Sequence, residues 1–183
     1  MWFTMLAFDI DDDALSRVAA EYAATPKQVG QAQSRALKRT AGTIRRLSST
    51  GLQSELGLRN AKALRRRIKQ YRVGKGRGAL KLWFGANDLP ISAFKGRPKI
   101  VPGGVKFGDI MIHGAFFARI GGKRMVMQRH GKGRWDIKEA TLPVADRMMV
   151  FLEDHVFVDI ETIYFKNFLA EIRARTILGV GGY

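Results

Sequence analysis

The sequence predicts an α+β protein: N-terminal basic helices, then a small antiparallel β-sheet or sandwich, then C-terminal helices. Three observations carry that reading. Apolar side chains recur at helical spacing as far as Tyr71. Short runs that alternate by two, punctuated by glycine, fill the middle of the chain. Helical spacing returns from Pro143 onward. Periods near 3.6 and 2 are the signatures of half-buried helices and strands. Blocks of helix and strand in succession, without strand–helix alternation, give the α+β order.

The elements follow in order. Met1 to Phe8 is apolar and is followed by acid at Asp9 to Asp13, the reverse of a secretory leader's charge order. It is therefore expected to form a strand or an interface arm. Asp11, Asp12 or Asp13 caps a first helix with Leu15, Val18, Ala19 and Tyr22 on its apolar face. Thr25-Pro26 opens a second helix, as cap and first-turn proline. That helix is expected to reach about Thr50, burying Val29, Gln33, Ala36, Leu37, Thr40, Ile44 and Leu47, and to stop at Gly51. Asn60 caps an expected third helix, Ala61 to Tyr71, with Leu64, Ile68 and Tyr71 inward. Gly74 to Gly78 reads as a flexible basic loop. Strands are expected at 79–84, 91–95, 105–112, 114–120 and 124–130, with Gly121-Gly122 as a hairpin turn. A second hairpin runs from Met125 through Gly131-Lys132-Gly133 to Ile137. Residues 143–157 and 158–176 are helical, the first opened by Pro143, and a short tail follows Gly179. The expected organisation is an N-terminal arm and short helix at 1–26, then one domain at 27–183.

Charge narrows the function. The chain of 183 residues carries 32 lysines and arginines against 16 acids, a net of +16. Residues 1–26 have a net of −4, residues 27–77 a net of +14 and residues 78–183 a net of +6. One segment thus holds nearly all the excess, and such a field draws polyanions without reading their sequence. Its densest part is Lys62, Arg65, Arg66, Arg67 and Lys69; Arg35, Lys38, Arg39, Arg45 and Arg46 lie mostly off the apolar stripe of the second helix. Lys132 and Arg134 sit at the tip of the second hairpin. These twelve side chains are the candidate DNA or partner surface. No helix-turn-helix, zinc-finger or RNA-recognition pattern accompanies them.

Other chemistry finds little support. With no cysteine there is no disulfide or thiolate site. His113, His130 and His155 lack neighbours at metal-ligand spacing. Gly74 to Gly78 lacks the Walker pattern, no serine sits in a nucleophile elbow, and no spacing selects a carboxylate pair. No apolar run reaches the roughly 20 residues of a membrane span. The expectation is a non-enzyme without metal or cofactor and without a membrane partner.

Several landmarks carry a family likeness. Gly114-Ala115-Phe116-Phe117-Ala118, Val126-Met127-Gln128-Arg129 with Gly131, Lys132 and Arg134, then Ile137 and Pro143-Val144-Ala145 occur in that order. With Asp88-Leu89-Pro90-Ile91 and the basic early segment, they resemble the minor tail protein Z family of lambda-like phages and prophages, over roughly residues 27–176. The first 24 residues have no counterpart in that pattern. The resemblance implies a structural virion protein at the head-proximal end of the tail, made in the bacterial host cytoplasm, that completes the tail and contributes to the head–tail joint and DNA passage. It implies a homo-oligomer, as a hexameric ring, that touches tail-tube or terminator proteins and neck or connector proteins, with genomic DNA in the lumen. It assigns no catalytic residue. An assembly subunit also needs apolar contact surface, for which Trp2, Phe3, Phe8 and Phe168 are the candidates. The rival reading is a sequence-nonspecific nucleic-acid-binding protein.

Overall fold

A computed structural model describes residues 3–6, 12–73, 79–133 and 136–180. Trp2, Phe8, Asp11, the expected loop at 74–78, Arg134 and residues 181–183 lie outside the described residues. The chain is α+β, with helices at both ends and small antiparallel sheets between them. In chain order the elements are β1 (Phe3–Leu6), α1 (Asp12–Glu21), α2 (Pro26–Glu55), α3 (Lys62–Arg65), β2 (Ile68–Val73), β3 (Ala79–Gly85) and β4 (Leu89–Pro90). After a 3-10 turn at Ile91–Ala93 come β5 (Lys99–Val101), β6 (Gly104–Phe107), β7 (Ile110–His113), β8 (Ala115–Ile120), β9 (Lys123–Arg129), β10 (Ile137–Glu139) and β11 (Thr141–Leu142). The described chain closes with α4 (Ala145–Leu152), a π-helical turn (Glu153–Phe157) and α5 (Ile160–Thr176).

The long helix α2 starts where the sequence places it. Gln28 N donates to Thr25 Oγ1 at 3.3 Å, and Thr25 N donates to Gln28 Oε1 at 2.8 Å. This reciprocal box satisfies two backbone donors that have no partner within the helix. Gly51, the expected stop, lies inside the helix, which runs on to Glu55. The ring of Phe151 in α4 occupies the space where a Cβ at position 51 would stand. Glycine is here for close packing, and that contact offsets its helix cost of about 1 kcal/mol. The buried stripe is Ala32, Ala36, Thr40, Ala41, Ile44, Ser48 and Leu52, whereas Val29, Gln33, Leu37 and Leu47 are half-buried. The stripe is offset from the sequence pattern because α2 is covered by different partners along its length. α5 packs along it extensively, and α4 and the strands meet its later turns.

The expected third helix is overturned after one turn. α3 ends at Arg65, and Ile68–Val73 forms β2, antiparallel to β3 with Ile68 opposite Phe84. Leu64, Ile68 and Tyr71, spaced by four and three, fit a helix and not the period of two of a strand. The strand wins because β3 supplies backbone partners along the whole segment, a tertiary gain that outweighs weak propensity. Asn60 still helps at the start: its Oδ1 accepts from Lys62 N at 2.9 Å.

Other strand boundaries also shift. The expected strand at 91–95 is the 3-10 turn and a bend, while Leu89–Pro90 pairs with β11. The expected strand at 105–112 is two, β6 and β7, which pair with each other, and β5 adds to β6. The Gly121-Gly122 hairpin is present, joining β8 to β9 with φ of 56° and 78° at the two glycines. Both angles suit the type I′ turn, which matches strand twist. β10 then pairs with β9, as the second hairpin requires.

Two apolar clusters organise the interior. Leu15, Ala32, Ala36, Tyr164, Phe168 and Ile172 join α1, the first half of α2 and α5. A larger cluster joins the rest of α2 to the strands, α4 and the start of α5, through Ile44, Leu52, Leu64, Ile68, Phe84 and Met148. Phe168 is therefore corrected from contact surface to core: it is fully buried and stacks with Tyr164 at 6.1 Å between centroids. Helical period alone puts an aromatic on a face without saying which face another helix covers.

Candidate nucleic-acid interface

The cations of the basic segment divide by what surrounds them. Arg35, Lys38, Arg45 and Arg46 are exposed on α2. Their numbering repeats at three, seven and one, which keeps most of them along one outward face of the helix. Lys62, Arg65, Arg66 and Lys69 are exposed on the segment that follows. The fold brings the two sets together. Arg45, Arg46 and Arg65, with Gly42, Ser49 and Thr50, line a groove of about 310 Å³ floored in part by Ile68. Among the described residues no carboxylate pairs with Arg45, Arg46 or Arg65. Lys69 rests over the Trp83 ring at 5.5 Å.

Two of the candidate arginines are committed inside the subunit. Arg39 Nη1 lies 3.0 Å from Glu171 Oε1. Glu171 is only 4% exposed and also accepts from Arg175 Nη1 at 2.6 Å, through its other carboxylate oxygen. Arg175 is itself buried, and its Nη1 also donates to the Glu171 carbonyl oxygen at 2.8 Å. Arg39 thus closes a buried ion cluster between α2 and α5, although its own side chain stays largely exposed. Arg67 donates to the carbonyl oxygens of Asn87 and Asp88, the latter at 2.8 Å. Burial lowers its guanidinium pKa from the ordinary arginine value, and the nearby Asp88 charge opposes that shift. Its forked donors hold the segment before β4. Arg39 and Arg67 thus each have partners within the subunit, whereas no such partner is found for Arg45, Arg46 or Arg65 among the described residues. Lys132 is exposed at its hairpin tip, and Arg134 lies outside the described residues.

A second basic cleft lies outside the twelve candidate cations. Lys95, Arg97, Lys99 and Lys106 line a cavity of about 400 Å³ together with Gly96, Phe107 and Gly108. The sequence does contain a signal, since Lys95, Arg97 and Lys99 alternate by two. Only the pairing of β5 with β6 adds Lys106, which stands directly opposite Lys99.

The residues that carry the family likeness have structural work. Gln128 Nε2 donates to His113 O at 3.0 Å and ties β9 to the β7–β8 corner. Arg129 Nη1 donates to Gly133 O at 2.8 Å and closes the β9–β10 turn. Leu89 is buried, and Ile91 N donates to Ala140 O at 3.0 Å. Val144 caps α4 by position, without a side-chain hydrogen bond. Among the described residues no group of three or more histidines or acids is placed to hold a metal, and no helix is long and apolar enough to cross a membrane. Compared with family models, curated proteins and solved structures, the chain matches none of them.

Proposed function

We propose that this chain is a structural subunit of a phage tail, acting at its head-proximal end, with the α2 groove turned toward DNA. The observation that carries the proposal is the convergence of Arg45, Arg46 and Arg65 on one groove without an acidic partner among the described residues. Guanidinium groups bind phosphate through paired donors, and a field without base-reading elements suits DNA of any sequence. The order of the tail-protein landmarks supports the tail setting. In that setting the subunit forms a ring and docks on tail-tube and neck proteins.

The test has two parts. Purified protein is examined for rings by negative-stain microscopy, and purified particles are searched for the chain by mass spectrometry. Rings, together with the chain in particles, are expected. A persistent monomer that is missing from particles overturns the tail setting. The rival reading, a free nucleic-acid-binding protein, rests on the same groove and predicts tight, salt-sensitive DNA binding without any tail partner.

A further inference from the structure

The cleft between the 95–99 segment and β6 has features that the fold itself does not require. Lys99 and Lys106 are cross-strand partners, and like charges directly opposite on antiparallel strands are destabilising. Lys95 and Arg97 add two more cations to the same cavity. Among the described residues none of the four pairs with a carboxylate, and Asp109, close by in sequence, does not line the cavity. Local rules are broken in this way where function demands it. One wall is aromatic. Phe107 is half-buried and is held by Phe94, with ring centroids 6.1 Å apart. Gly96 lies on it so closely that an added Cβ would stand 3.1 Å from the ring. The ring is thus fixed in place at the edge of a cavity rimmed by cations.

We infer that this cleft is a second binding site, for an unpaired stretch of nucleic acid. The phosphates would lie against Lys95, Arg97, Lys99 and Lys106, and one base against Phe107. Cations beside an aromatic platform are the usual means of holding single strands, because every base has a π-face and every linkage a charge. A cavity of about 400 Å³ falls within the usual volume of a small-molecule site, roughly 300 to 1,000 Å³, which suits one nucleotide. The site is separate from the α2 groove, so this inference stands or falls independently of the tail setting.

The test uses the full chain with fluorescently labelled oligothymidylate and a duplex of equal length, read by anisotropy. Lys99→Glu sets a carboxylate opposite Lys106. It is expected to raise the melting temperature slightly while weakening oligothymidylate binding by about tenfold or more, through loss of a phosphate contact and gain of a repulsive charge. Phe107→Leu keeps apolar volume and is expected to weaken oligothymidylate binding but not duplex binding. The triple variant Arg45→Glu/Arg46→Glu/Arg65→Glu is expected to do the reverse, reducing duplex binding more. Unchanged oligothymidylate affinity in a folded Lys99→Glu protein overturns the site. Equal losses for single strand and duplex in Phe107→Leu overturn its preference for unpaired nucleic acid.

Discussion

Two stretches of α2 hold arginines on similar faces and use them in opposite ways. Arg39 and Arg46 are two turns apart, about 10 Å along the axis. Arg39 meets the buried Glu171 of α5, and Arg46 opens onto a groove with no acid. What separates them is where the carboxylate-bearing helix lies. Around Arg39 the acid is already out of water, so the cation completes a buried cluster whose other members cannot be left unpaired. Around Arg46 water and the opposing Arg65 leave the charge available. The same residue type therefore stabilises the fold in one place and projects a field in the other.

The largest expected effects lie at the Arg39 end. Glu171→Gln leaves buried Arg175 without its counter-charge and is expected to cost about 3–5 kcal/mol, the range for breaking a buried ion pair from one side. Urea unfolding measures it, and a change below 1 kcal/mol would show that the cluster is not structural. Phe168→Ala, in the same layer, is expected to cost about 3–5 kcal/mol as a core truncation. A surface residue would cost almost nothing, so the same unfolding curve decides between core and contact surface. Gly51→Val drives a side chain into the Phe151 ring and is expected to cost about 1–3 kcal/mol by overpacking. A double change with Phe151→Ala recovers much of that loss if the contact is the cause.

Smaller effects sharpen the contrast inside the Arg65-Arg66-Arg67 run. Arg67→Ala removes donors to two backbone carbonyl oxygens and is expected to cost about 1–3 kcal/mol. Arg65→Glu and Arg66→Glu are expected to stay within about 0.5 kcal/mol of the parent, as exposed substitutions do. Thermal melts of the three single variants separate the structural arginine from its exposed neighbours. For the groove, loss of Arg45, Arg46 or Arg65 is expected to lower the salt dependence of DNA binding by about one unit of slope per arginine that touches phosphate. A slope unchanged in the triple variant removes the groove from the DNA path.

Some of this was legible beforehand. Thr25-Pro26 marks the start of α2 because a side-chain acceptor and a fixed φ act locally. Gly121-Gly122 marks the β8–β9 turn because two successive positive φ angles suit glycine. The third helix is overturned because the helical spacing of Leu64, Ile68 and Tyr71 is a local signal, whereas β3, whose pairing decides the segment, lies further along the chain. Gly51 reads locally as a stop because Phe151, whose ring requires glycine there, is a hundred positions away in the chain.

From sequence alone come the α+β order, the charge concentrated between Lys27 and Arg77, and the locally encoded caps and turns. These depend on neighbouring residues and on totals that no fold can alter. The tertiary structure decided which cations are free. An arginine's partner is set by what packs opposite it, and Glu171, Asn87 and Lys106 reach their neighbours only after α5 has docked and the strands have paired.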